Sequence, residues 1–316
     1  LGLARAVDAY CPEKGLPLAF TRVYRGQIGD RLKLGPLGYG WTHSLNIFLE
    51  VSEDGGVTLQ DGSGAQRCFQ KKDDGSFVAL NAGDRGHLVK EGGVYRLTEL
   101  NGNEYVFRTD LKVATVTDAR GNRLTARYDQ GRLVEMQHSG GDHFQLAYNA
   151  AGRIIQLTDA AGRVTTFSYD ASNEHLLSAT DAAGRVVQYT YNGDAGSPAD
   201  HALRVTVHPD GSAGHFEYDA YGRLAADYSE GTANRRTYSY DGDGRVSITF
   251  GNDSAPAVVL SPDATNRVAR VQKPDGSVVV LEYDWNDGHL ARVTDGLGRV
   301  SEHQRDISAS VLRDPL

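Results

Sequence analysis

Two cysteines, one methionine, two tryptophans and nine prolines in 316 residues leave several architectures without material. Cys11 and Cys68 are too few for a disulfide scaffold and stand at no metal-ligand spacing. One bridge between them is open, and two buried thiols are the plainer reading. No run approaches the roughly 18 consecutive apolar residues of a membrane-spanning helix. No block of basic residues exists to neutralise phosphates. A formal net charge of −8 with both signs interspersed argues against nucleic acid as the main partner and reads as solubility. The i, i+3, i+4, i+7 pattern of an amphipathic helix is missing from every window of useful length, so almost no helix is expected. The start, Leu1-Gly2-Leu3-Ala4-Arg5, is not a signal peptide and lacks an initiator Met, which points to a piece of something longer.

Glycine and tyrosine are plentiful. Glycine stands at 37 without collagen period or proline enrichment, which implies many tight turns. Tyr (16) outnumbers Phe (9), and hydrophobic residues reach 40%, enough for a core. Tyrosine dominance favours strands, where the ring packs flat and the hydroxyl is expected to stay wet.

The tyrosines recur. Tyr128-Asp129, Tyr148-Asn149, Tyr169-Asp170, Tyr191-Asn192, Tyr218-Asp219, Tyr240-Asp241 and Tyr283-Asp284 are separated by 20, 21, 22, 27, 22 and 43 residues, the last step being about two repeats. Such a period means one supersecondary unit stacked many times. Before each pair, large or β-branched residues alternate, as in Phe144, Leu146, Tyr148 or Thr165, Phe167, Tyr169, which places one row on a single sheet face. After it comes a polar stretch, then Gly131-Arg132-Leu133, Gly152-Arg153-Ile154, Gly222-Arg223-Leu224 or Gly244-Arg245-Val246. Glycine supplies the positive φ of a hairpin turn, Asp or Asn caps it, and Arg leads the return strand. A second turn closes each unit, from Asp118, Asp159, Asp181 and Asp295 into Gly121, Gly162-Arg163, Gly184-Arg185 and Gly298-Arg299. The predicted fold is all-β, an array of antiparallel hairpins forming a curved ribbon. The stretch Gly193 to Pro198 reads as a longer surface loop.

Residues 1–110 have a different texture. Leu18, Phe20, Arg22 and Tyr24 alternate as a strand, Gly35 to Trp41 is a dense turn cluster, and Leu45 to Val51 and Val57 to Leu59 read as further strands. The expected organisation is a β-rich N-terminal cap over 1–110, the hairpin array over 111–305 and a tail over 306–316. Atypical ends are common in repeat arrays, because a bare sheet edge invites aggregation.

Chemistry finds little purchase. His138 and His143 flank a hairpin turn without a third ligand at matching spacing and read as a solvated turn, not a metal site. Asp241-Gly242-Asp243-Gly244 lacks the later acceptors and closing Glu of a calcium loop and reads as a repeat turn. His43, beside Trp41, reads as a packed cap residue. Each carboxylate pair sits where turn capping explains it, and no catalytic motif appears. No enzymatic activity, cofactor or metal is expected. A tyrosine ladder facing its neighbours is the sheet's own stabilisation, and one facing outward could stack on sugars.

These residues resemble the Rhs and YD-repeat proteins of bacteria, related in the repeat to teneurins and to shell components of insecticidal toxin complexes. Tyr218, Asp219, Gly222, Arg223 and Leu224 fit that repeat fully. Thr21 to Arg25, Leu34 to Gly38 and Gly40 to Leu45 look like the stretch that precedes the repeats in Rhs proteins. The resemblance implies a ribbon that spirals into a hollow cocoon around a polymorphic C-terminal toxin, secreted or delivered as a secretion-system effector. Its partners would be the remainder of the shell, the enclosed toxin or cargo, and a secretion-system component. The self-cleaving core that ends such shells is not found, Asp314-Pro315-Leu316 being a truncated echo, so autoproteolysis and toxicity are not carried over. At about 4.8 Å per strand the ribbon is about 120 Å wide, a band of a shell. The alternative from the binding class is a surface or wall-associated module that contacts glycans or another surface protein.

Overall fold

The structure, a computed structural model, describes residues 2–81, 83–193, 195–229, 234–251, 257–265, 267–284 and 290–303. They fall into two compact units, Leu1–Glu230 and Gly231–Leu316. Apart from one four-residue helix, Ile28–Arg31, every regular element among the described residues is a strand. The chain is all-β, as its alternating pattern and glycine-marked turns require.

The first unit opens with a three-stranded sheet of Gly2–Cys11, Leu18–Arg25 and Trp41–His43. A four-stranded sheet follows, of Phe48–Val51, Val57–Gln60, Gln66–Lys71 and Phe77–Ala79. The strand expected from Leu45 starts only at Phe48, because the Asn46 N–H donates to the His43 carbonyl at 2.9 Å and turns the chain there. From His87–Glu91 to Leu224–Ser229 each strand pairs antiparallel with the next, an unbroken meander.

One face of that meander carries the core. Met136, Phe144, Leu146, Leu157, Phe167, Ala179 and Tyr189 are buried on it, and Leu18, Phe20, Tyr24 and Trp41 of the N-terminal strands belong to the same cluster. Phe20 tilts onto Phe167 at 6.3 Å and Trp41 meets Tyr189 edge-on at 4.9 Å. The N-terminal strands therefore cover the inner face of the repeat strands, and each large side chain so buried contributes roughly 1.5–3 kcal/mol.

The second unit repeats the neighbour-to-neighbour meander in Arg236–Tyr240, Val246–Phe250, Val258–Pro262, Val268–Gln272, Val278–Tyr283, Leu290–Thr294 and Val300–Glu302. None of its described residues is fully buried. Asp314, Pro315 and Leu316 lie outside the described residues.

Candidate functional site

The repeat builds two devices, a turn and a rung. In the turn, one carboxylate oxygen of Asp159, Asp181, Asp219, Asp241, Asp263 or Asp295 accepts the backbone N–H groups two and four residues on. At Asp159, Asp181, Asp219, Asp263 and Asp295 the other oxygen takes the Nε–H of the arginine four residues on, at 2.6–2.9 Å. Gly222 and Gly244 hold φ at +77°, which L side chains rarely adopt. Arginine thus does more than lead the return strand: it closes the turn. The same device serves both turns of a repeat.

Several copies depart from it. Tyr128 and Asp129 run into Gln130 and Gly131, both at positive φ, a tight two-residue turn before Arg132. Asn149 replaces aspartate: its Oδ1 accepts the Arg153 N–H and its Nδ2 donates to Asn173 Oδ1 at 2.8 Å. Asp170 precedes a turn one residue longer, in which Asn173 takes the positive φ and His175 Nδ1 meets Asp170 Oδ2 at 2.8 Å. Burial opposes the charge on Asp170, but His175 and the Glu174 and His175 N–H groups outweigh it and hold its pKa down to about 2. His138 stands where aspartate stands elsewhere, and its Nδ1 accepts the Gly140 N–H at 2.8 Å. The expected solvated histidine is instead buried, 2% exposed.

The rung belongs to tyrosine. The pairing slips by one residue immediately before Tyr128, Tyr148, Tyr169, Tyr191, Tyr218 and Tyr283, a β-bulge in every such repeat. A bulge re-aims the side chain and interrupts the ladder. Each of these hydroxyls donates to the carbonyl 15 residues earlier, respectively Val113, Leu133, Ile154, Leu176, Leu203 and Val268, at 2.5–2.9 Å. The hydroxyls are therefore not wet, contrary to expectation. Burial raises the pKa of Tyr128, Tyr148, Tyr169, Tyr191 and Tyr218, so the groups stay neutral donors. Tyr240 pairs with Val246 without a bulge and leads into the Asp241, Gly244, Arg245 turn. The turn after Tyr283 and Asp284 lies outside the described residues.

The N-terminal segment docks on these rungs with polar groups that sequence patterning missed. Trp41 Nε1 donates to the Tyr191 hydroxyl at 2.7 Å. The Tyr24 hydroxyl donates to the His201 carbonyl at 2.7 Å and accepts the Leu203 N–H at 3.0 Å. Arg31, wholly buried, donates to the carbonyls of Gly222 at 2.7 Å and of Pro198, and lies over the Tyr218 ring. The loop after Tyr191, expected on the surface, is pinned there by that arginine. Arg22 is buried among Trp41, Phe167 and Tyr189 and pairs with Asp8 at 3.4 Å. Burial, opposed by Arg22, pushes the Asp8 pKa up to about 6. His43 stacks on Phe20 at 4.7 Å, and burial pulls its pKa down to about 3. Cys11 and Cys68 are free thiols, the first buried and the second half-buried. Among the described residues no group of three or more His, Cys, Asp or Glu is placed to hold a metal ion.

Two family models match the chain. A domain of unknown function, DUF6531, covers residues 3–69, and the RHS Repeat covers residues 148–174, which hold the rungs of Tyr148 and Tyr169. Among solved structures the chain is similar to TcdB2-TccC3 without its hypervariable C-terminal region, at 10% identity and TM-score 0.41, over 92% of this chain and 21% of that one. It is also similar to TcdB2-TccC3-Cdc42, at 12% identity and TM-score 0.40, over 96% and 22%. A third likeness is to the Tc holotoxin pore of Photorhabdus luminescens, at 13% identity and TM-score 0.37, over 92% and 18%. The chain thus spans about a fifth of the solved chains it matches. Its repeat, with a Tyr rung and an Asp-to-Arg turn in successive antiparallel hairpins, and the RHS Repeat match make it an Rhs/YD-repeat protein.

Proposed function

We propose that this chain is a wall segment of an Rhs-type shell that encloses a toxin or other cargo before delivery, and that it performs no chemistry of its own. One observation carries the reading: the groups that repeat are consumed in holding strand to strand. The tyrosine hydroxyls bond to the preceding hairpin's carbonyls and the aspartates bond to their own turns. Among the described residues, these recurring hydroxyls and turn carboxylates are spent within the sheet, and the product of the repetition is a surface. Residues 1–110 serve as the cap of the array: the strands of residues 2–43 cover its core face, and those of 87–107 lead the meander itself. The parent protein would act outside the cell, alongside the rest of the shell and a secretion component. Burial or half-burial of the rung tyrosines weighs against the glycan-stacking alternative, which needs outward rings.

The test is the structure of the parent protein by electron cryomicroscopy, with limited proteolysis of the same sample. A closed β-wall around a second, protease-protected segment is the expected result. An open ribbon, with every other segment cleaved while residues 87–229 stay intact, overturns it.

A further inference from the structure

A cleft of about 230 Å³ lies in the first unit between the Leu34 to Phe48 stretch and the turns of the first repeats. Its lining includes Lys112, Arg132 and Arg153 and not one Asp or Glu, although acidic residues outnumber basic ones 41 to 33 in the chain. An adjoining cleft of about 340 Å³ is lined by both signs, Arg25 and Lys33 with Asp30, Glu50 and Asp61. The single-sign lining is therefore local.

The reason lies in two altered turns. Arg163, Arg185 and Arg223 are each paired with the aspartate four residues earlier. Arg132 follows a turn one residue shorter and rests on the Tyr148 ring at 5.8 Å, with no carboxylate partner among the described residues. Arg153 follows Asn149 in place of aspartate, and its Nε donates to the Asn173 carbonyl. Lys112 donates to the Gly131 carbonyl. The aspartate that pairs with the turn arginine elsewhere has no counterpart in the lining, and Asp110, which feels the charge of Lys112, lies outside it. His43, 2% exposed and also lining it, leaves Nδ1 without a hydrogen-bond partner among the described residues.

The geometry points to a binding site for a small organic or inorganic oxyanion, a carboxylate or phosphate group held by Arg132, Arg153 and Lys112, with Leu45, Phe48 and Leu133 against any apolar part. Planar guanidinium groups match two oxygens of such an anion, and partial enclosure lowers the screening of the attraction. This site is independent of whether the shell encloses cargo.

Calorimetric titration at low salt, with citrate and with inorganic phosphate as probes, tests it. Saturable binding of either probe is expected, with citrate alone marking a carboxylate site and phosphate alone a phosphate site. Arg132→Gln with Arg153→Gln should weaken it at least tenfold, and Arg185→Gln, whose guanidinium is already paired, should leave it unchanged. The Arg132 side chain is exposed, so Arg132→Gln alone keeps the test open if the double variant does not fold. No saturable binding of either probe, or equal loss in Arg185→Gln, overturns the site.

Discussion

The Trp41 indole N–H points at the Tyr191 hydroxyl, 2.7 Å away, and that same hydroxyl donates to the Leu176 carbonyl at 2.8 Å. Tyr191 is thus a rung of the repeat and a socket for the N-terminal segment at once. Tyr148 is a rung only, bonded to Leu133. Losing one neutral hydrogen bond costs about 1 kcal/mol, and leaving a buried donor unpaired adds roughly 1–3 kcal/mol. Tyr148→Phe should therefore cost about 1 kcal/mol and Tyr191→Phe at least twice that, read by urea denaturation with tryptophan fluorescence. Equal losses would show that Trp41 draws nothing from the rung.

Gly222 and Gly184 occupy the same place in two copies of the turn, with φ of +77° and +78°. A Cβ on Gly184 meets nothing within 4 Å, whereas one on Gly222 would lie 1.9 Å from the Pro198 carbonyl oxygen. Gly184→Ala should cost only the left-handed strain, about 1–2 kcal/mol. Gly222→Ala should cost clearly more and loosen the loop after Tyr191, because backbone must move. Matching denaturation midpoints for the two variants would contradict the close approach of that loop.

Much of this was legible in the chain, and the rest was hidden for a definite reason. The alternation of Phe144, Leu146 and Tyr148 fixed the sheet face, and the turns fell where Gly and Asp marked them. The uneven period had a rule that spacing alone left implicit. From Leu133 to Tyr148, Ile154 to Tyr169, Leu176 to Tyr191 and Leu203 to Tyr218 the interval is always 15, the reach of one rung. As far as Tyr218, all variation lies in the turn from tyrosine to the next aliphatic residue, including the insertion between Tyr191 and Leu203; the step from Leu224 to Tyr240, which has no bulge, is 16. What sequence could not show were bonds such as Trp41 to Tyr191 or Arg31 to Gly222, formed across 150 and 191 residues. No local pattern encodes them. The shortened turn from Asp129 to Arg132 and the Asn149 that replaces aspartate before Arg153 were visible, but they gained meaning only when one cleft brought both arginines together.

Arg31 is buried without a carboxylate partner among the described residues: its two terminal nitrogens serve the carbonyls of Gly222, Pro198 and, at 3.4 Å, Gly26, while its Nε has no hydrogen-bond partner among them. Arg31→Met keeps much of the packing over Tyr218 but leaves those acceptors bare, so a loss of about 3 kcal/mol is expected. Arg31→Lys should recover little, because a point charge cannot serve carbonyls lying in different directions. Hydrogen exchange at Leu203, whose N–H bonds to Tyr24, should quicken in both variants. Full recovery by lysine would refute the forked geometry.

Two buried groups set opposite pH slopes. His43 has its pKa lowered to about 3 from an ordinary 6.5, so its contribution is present above pH 6.5 and drains away as pH falls toward 3. Asp8 is raised to about 6 from 3.8, so its contribution is full below pH 3.8 and is lost as pH rises through 6. Between about pH 4 and 6 the two slopes oppose each other, and stability should be nearly flat there. Below pH 4 the turn aspartates, Asp170 among them with its pKa near 2, begin to lose their bonds and stability falls. Asp8→Asn removes one side of the balance. Its stability should decline steadily on acidification from pH 6 to 4, whatever constant offset comes from leaving Arg22 without its carboxylate. Urea denaturation at half-unit steps decides the matter: a profile parallel to the parent's would mean that Asp8 does not titrate in this window.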